Sequence, residues 1–194
     1  AFDWISSMEP EWYSDIFGVY IFAGTFLAGL AATTLALLYL QSRGRLKDIT
    51  RDHMYNLGGF LFAFTVFWSY IGFAQYMLMW YANIPEEVFW YQERIEGAWG
   101  PILLGLAVFH FLVPFFLLIP RDAKRDPRFL FWTAAIMLFS HWLDLYWMIF
   151  PVLDLGPLFG LPEISFSILF VSAALLWIRF SMTRGADMPA GDPL

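Results

Sequence analysis

Five long apolar stretches, set apart by short charged segments, constrain this 194-residue chain more than any other feature in it. They run over 16–40, 57–82, 99–119, 129–150 and 164–180. Each is close to the roughly 20 residues that a helix needs to cross the hydrocarbon of a bilayer. Within lipid every backbone N–H has to be bonded inside its own segment, which makes helix the default. A transmembrane barrel requires alternating strands of about 10 residues, and these stretches show no period of two. The chain is 60% hydrophobic and 14% charged, about half the charged share of a soluble domain, and a water-soluble fold is excluded. The expected fold is all-α: a polytopic membrane protein with a five-transmembrane-helix bundle over 15–183.

Orientation follows from the bases. Arg43, Arg45, Lys47 and Arg51 lie between the first and second stretches, Arg121, Lys124, Arg125 and Arg128 between the third and fourth, and Arg179 and Arg184 at the end of the fifth. Arg94 alone falls on the opposite side, among acids that include Glu9, Glu11, Glu86, Glu87, Glu93 and Glu163. The positive-inside rule then puts the amino terminus outside and the carboxyl terminus inside. Five crossings separately require the two ends to lie on opposite faces. Residues 1–14, with Trp4, Trp12 and Tyr13 among acids, are expected along the outer interface, with Ser7 before Pro10 starting a short helix. The Gly, Pro and Asp-rich 184–194 is expected as an unstructured inner tail. The first residue is not Met, and the chain reads as the continuation of something longer.

The absence of Cys excludes disulfides, thiolate zinc sites, cysteine-ligated iron–sulfur clusters and covalently attached c-type haem. Any redox centre has to use histidine or sit on a partner. His53, His110 and His141 are the only three.

Four polar residues fall inside the apolar stretches, where ionisable groups are costly to bury and therefore informative. Gln75 is on the second, His110 on the third, and His141 and Asp144 are on the fourth. Spacing of three puts His141 and Asp144 on one helix face. At about 1.5 Å per residue they form a layer roughly 10–16 Å below the outer rim. The third and fourth stretches share a short connection, so His110 and His141 are expected close together. Pro114 removes the hydrogen bond to the His110 carbonyl and is expected to kink the helix there, leaving an acceptor free. Carboxylate, imidazole and amide in one layer suit proton transfer. They equally suit an interhelical network that holds helices together, and the two histidines suit a bis-histidine haem.

Gly18, Gly24 and Gly29 on the first stretch suggest close helix packing. Arg45, Lys47 and Arg51 read as a topology signal, with anionic lipid as a second use. His53, at the inner boundary, reads as solvated or helix-capping. The acidic segment from Ile84 to Glu96 is expected as an outer loop, open to a basic soluble partner.

Several segments together carry a family resemblance: Phe2-Asp3-Trp4, Ile16-Phe17-Gly18-Val19-Tyr20, Phe67-Trp68-Ser69-Tyr70-Ile71, Trp80 through Glu87, and His141-Trp142-Leu143-Asp144-Leu145-Tyr146-Trp147. The chain resembles the ActF-type membrane subunit of bacterial alternative complex III, a quinol:electron-acceptor oxidoreductase whose membrane subunits are NrfD-like. Members carry about twice as many helices, and this chain looks like the carboxy-terminal half. The resemblance implies a multi-pass subunit of the bacterial inner membrane with no metal or cofactor of its own. It also implies membrane lipids and further membrane subunits as neighbours, haem-c and iron–sulfur clusters on partner subunits, and quinone or quinol as the candidate ligand. No nucleic-acid partner is expected. The expected function is support of quinol oxidation, with Asp144, His141, His110 and Gln75 as a proton relay toward the outer side. The rivals are a purely structural anchor for soluble haem and iron–sulfur subunits and a b-type haem subunit using His110 and His141.

Overall fold

The structure, a computed structural model, describes residues 1–46, 49–153, 156–157 and 160–182, and these are helical with no strand. The expected tail at 184–194, Lys47 and Asp154 lie outside the described residues. The helices are α1 (Phe17–Ser42), α2 (Arg51–Ala82), α3 (Pro85–Ile95), α4 (Gly97–Leu118), α5 (Pro127–Ile149) and α6 (Leu161–Met182). All except the short α3 are long and apolar enough to cross a membrane, and the five expected spans are present.

Local sequence sets the boundaries. Thr50 donates its backbone N–H to His53 Nδ1 at 3.1 Å at the start of α2, which gives His53 the capping role its position suggested. Asn83 closes α2 in the left-handed region with φ 48°, a conformation that asparagine tolerates. Pro85 then opens α3 at a position where its missing N–H costs nothing. Asp126 accepts from the Arg128 backbone N–H at 2.8 Å and Pro127 follows it, starting α5.

α1 lies against both α2 and α5, while α4 packs on α2 and α5. The buried core has two parts. Toward the end that carries the amino terminus it is aromatic, including Trp12, Phe17, Tyr20, Trp68, Trp90 and Trp147. Toward the end with the basic loops it is aliphatic, with Leu27, Leu61, Leu118, Leu130 and Met137. α6 stands at the side, and no residue in its apolar window is buried. The Trp142 indole N–H donates to Ser167 Oγ at 3.0 Å and ties it to α5.

The segment expected as an acidic loop is instead the helix α3. Glu86 and Glu87 in its first turn and Arg94 in its last match the helix dipole, while Trp90 and Arg94 face inward. Nor does the amino-terminal segment merely lie along an interface. Trp4 is 85% exposed, but Trp12 is 1% exposed, stacks on Trp90 at 4.6 Å and donates to the Glu87 carbonyl at 3.2 Å. The short helix expected between Ser7 and Pro10 is a single 3₁₀ turn at Ser6–Met8.

Arg94 joins these parts. Its guanidinium donates to both Glu9 carboxylate oxygens at 3.2 Å, to the Trp90 carbonyl at 3.0 Å and to the Met148 carbonyl at 2.9 Å. It also lies 3.9 Å from the Trp90 ring centroid, and the Trp147 indole donates back to the Arg94 carbonyl at 3.0 Å. One side chain thus links the amino-terminal segment, α3 and the end of α5. Burial pushes the Glu9 carboxyl up from its ordinary pKa and the Arg94 guanidinium down, against the attraction between them. The pair holds geometry more than it adds stability. Replacing Arg94 by Ala is expected to cost about 3 kcal/mol in unfolding free energy, because it strips the carbonyls and strands Glu9. Glu9→Gln retains an acceptor and is expected to cost less. Chemical denaturation of the protein in detergent checks the order of the two losses.

Candidate functional site

Tyr20 on α1, Trp68 on α2, His110 on α4, and His141 and Asp144 on α5 meet in one layer. Asp144 is 1% exposed. Its Oδ1 accepts from the Tyr20 hydroxyl at 2.6 Å and its Oδ2 from the Trp68 indole N–H at 3.3 Å. The carboxylate therefore ties α5 to α1 and α2, and its bonded partners are aromatic side chains rather than the imidazoles expected beside it. Trp68 bridges the two groups. Its indole stacks on the His110 ring with centroids 3.9 Å apart while its N–H serves Asp144.

His110 and His141 do come together, with ring centroids 6.2 Å apart and planes at 67°. His110 is fully buried, and neither Nδ1 nor Nε2 has a protein hydrogen-bond partner among the described residues. His141 Nδ1 and the neighbouring Ser140 Oγ are also buried without partners. Leaving a polar atom buried and unbonded costs about 1–3 kcal/mol. This layer carries four such atoms, with the aromatic core on one side and the aliphatic core on the other.

The helix around His110 departs from expectation. The chain does not simply kink at Pro114. Residues Ala107–Leu112 form a π-helical segment, and the Val113 N–H bonds to the Val108 carbonyl. A wide turn of this kind takes up the ladder disruption that proline imposes. The His110 imidazole is buried within this rewound turn.

Gly24 makes close approach at this layer necessary. A Cβ there would lie 3.1 Å from His141 Cε1 and Nδ1 and 3.3 Å from Trp68 Cδ1. The other two glycines of that stretch do not join helices. Gly18 lies under the Phe2 ring, and nothing comes within 4 Å of a Cβ at Gly29.

Gln75 is 2% exposed and lies two turns from Trp68 on α2. It lines a cavity of about 410 Å³ together with Tyr20, Trp68, Tyr76, Tyr91 and Trp147. The cavity reaches Asp144 through Tyr20, whose ring is in its wall and whose hydroxyl is on the carboxylate. Its size and aromatic walls suit a small planar ligand.

Spacing picked out the four α2, α4 and α5 residues but not Tyr20 or Trp68, whose partners lie 124 and 76 positions away. Arg94 did carry a signal, as a single base among acids. No protein-family model matches the chain, and no curated protein matches it.

Two substitutions measure what the layer holds together. Tyr20→Phe removes one interhelical hydrogen bond and is expected to cost about 1 kcal/mol, the usual scale for such bonds within membranes. Gly24→Leu drives a side chain into His141 and Trp68 and is expected to cost about 2–3 kcal/mol through overpacking. Equilibrium unfolding of both variants in detergent checks that order.

Proposed function

We propose that the chain is an integral membrane subunit of a respiratory quinol:electron-acceptor oxidoreductase, and that its buried polar layer passes protons released by quinol oxidation toward the outer side. In this reading the amino terminus is outside, the carboxyl terminus is inside and the membrane is the bacterial inner membrane, as the distribution of bases favours. Haem and iron–sulfur centres that take up the electrons belong to partner subunits.

The observation that carries the reading is the unequal satisfaction of the layer. A network kept only to hold helices together gains by pairing every member. Here Asp144 is paired twice, whereas His110, fully buried, meets no side-chain or backbone hydrogen-bond partner among the described residues. An imidazole kept at that cost suits a group that has to exchange partners. Tyr20 supplies a connection, with its ring on the cavity and its hydroxyl 2.6 Å from the carboxylate. A hydroxyl both donates and accepts, so it can pass a proton between Asp144 and a group in the cavity, whose wall includes Trp90 and Tyr91 of α3. The Trp68 N–H only donates, and its part is to orient the carboxylate. Gln75, also on the cavity wall, offers an amide to a quinol oxygen.

The purified complex carrying Asp144→Asn tests this. The amide keeps the size of the side chain but not a carboxylate's capacity to take up a proton. Turnover or proton release per electron is expected to fall about tenfold or more, with subunit composition unchanged. Unchanged turnover and stoichiometry would remove the relay, and loss of subunits in place of turnover would leave only an anchoring role.

A further inference from the structure

A groove of about 830 Å³ runs between α1, α5 and α6. Its walls are apolar, with Ala36 from α1, Leu138 from α5 and Leu175 from α6 facing it. At the end with the basic loops it is lined by Arg43, Arg45 and Arg179. Arg43 is braced there, donating to the Tyr39 hydroxyl at 3.2 Å with its guanidinium 5.4 Å from that ring's centroid. Arg179 stands in the last turn of α6. Among the described residues no acidic side chain lines the groove.

The shape and the charge specify an occupant. The length of the groove takes hydrocarbon, and its mouth takes an anion with several oxygens, which planar guanidiniums bind in pairs. A helix from a partner protein would fill the apolar part, but a carboxylate on it has two oxygens and serves one guanidinium, whereas a phosphate can serve several. A zwitterionic lipid brings a cationic head to a cationic mouth. We propose that this groove binds an anionic diacyl phospholipid, its phosphate against Arg43 and Arg179 and its acyl chains between α6 and the α1–α5 pair. α6, which buries no residue of its apolar window in the bundle, is then held to the rest of the protein partly through lipid.

The test uses the whole chain reconstituted in vesicles of equal phosphatidylglycerol and phosphatidylcholine, extracted into mild detergent and weighed by native mass spectrometry. Phosphatidylglycerol is expected to be retained over phosphatidylcholine by about tenfold. The double substitution Arg43→Gln, Arg179→Gln is expected to abolish the preference, whereas Arg128→Gln, at the same end of the bundle but outside the groove, leaves it intact. Ala36→Trp fills the groove with all three arginines in place and is expected to lose the retained lipid. Equal retention of the two lipids overturns the site, as does a preference that survives both the double substitution and Ala36→Trp. A preference lost equally in Arg128→Gln also overturns it, since general attraction to the basic face then accounts for the binding.

Discussion

A side chain that can hydrogen-bond has no water to turn to in the middle of a bilayer, so it must find its partner inside the protein or bear the cost of going without. Asp144 finds two partners, from two different helices. That choice fixes the relative rotation of α1, α2 and α5: the Tyr20 hydroxyl and the Trp68 indole N–H can reach one carboxylate only if both rings lie between the helices. With Trp68 so placed, its face falls on His110, and α1 can close on α5 only where Gly24 leaves room for His141. The geometry of the layer follows from one carboxylate being satisfied.

The same layer divides the core. Along α1 the aromatic cluster includes Tyr20 and Ala23, and the aliphatic cluster begins at Leu27, with Gly24 between them. On α2 the change falls between Trp68 and Leu61, on α4 between Leu106 and Leu118 with His110 in the interval, and on α5 between Tyr146 and Met137 with His141 and Asp144 in the interval. The four packed helices therefore change character at one depth, and the ionisable groups stand where they do so. The aromatic half is closed at its end by α3 and the Arg94 contacts. The aliphatic half is bounded by basic loops, where Arg125 pairs with Asp52 at 2.8 Å.

What was legible in the sequence reflects how far each signal reaches along the chain. Spans are a property of contiguous residues, and hydropathy alone exposed all five. Caps are equally local, as His53 illustrates. The helix α3 was hidden because it is too short to span and its acids masked an inward face that carries only Trp90 and Arg94. In the polar layer the burial of His110, Gln75 and Asp144 could be inferred from their apolar neighbours, but their partners could not. Tyr20 and Trp68 are two aromatics among many, and only the tertiary fold distinguishes them from Tyr70 or Trp80, which are 65% and 60% exposed. Proline signalled a disturbance near His110 correctly, yet removal of a hydrogen bond does not dictate whether a helix bends or widens, and here it widens.

That widened turn and the unpaired imbalance at His110 coincide, and the coincidence bears on what the site is for. A π segment has poorer backbone geometry than an α-helix and persists where something else is gained. An imidazole with both nitrogens buried and unbonded is a second local cost in the same turn. Both sit within the packing of α4, since the π segment lies against α2 and α5 and the His110 ring is stacked on Trp68. The two departures fall on one residue, beside a doubly bonded carboxylate and an aromatic cavity, with Pro114 as the local cause of the first. Such departures are local strain that the surrounding structure has to hold in place, and in α4 they fall on His110.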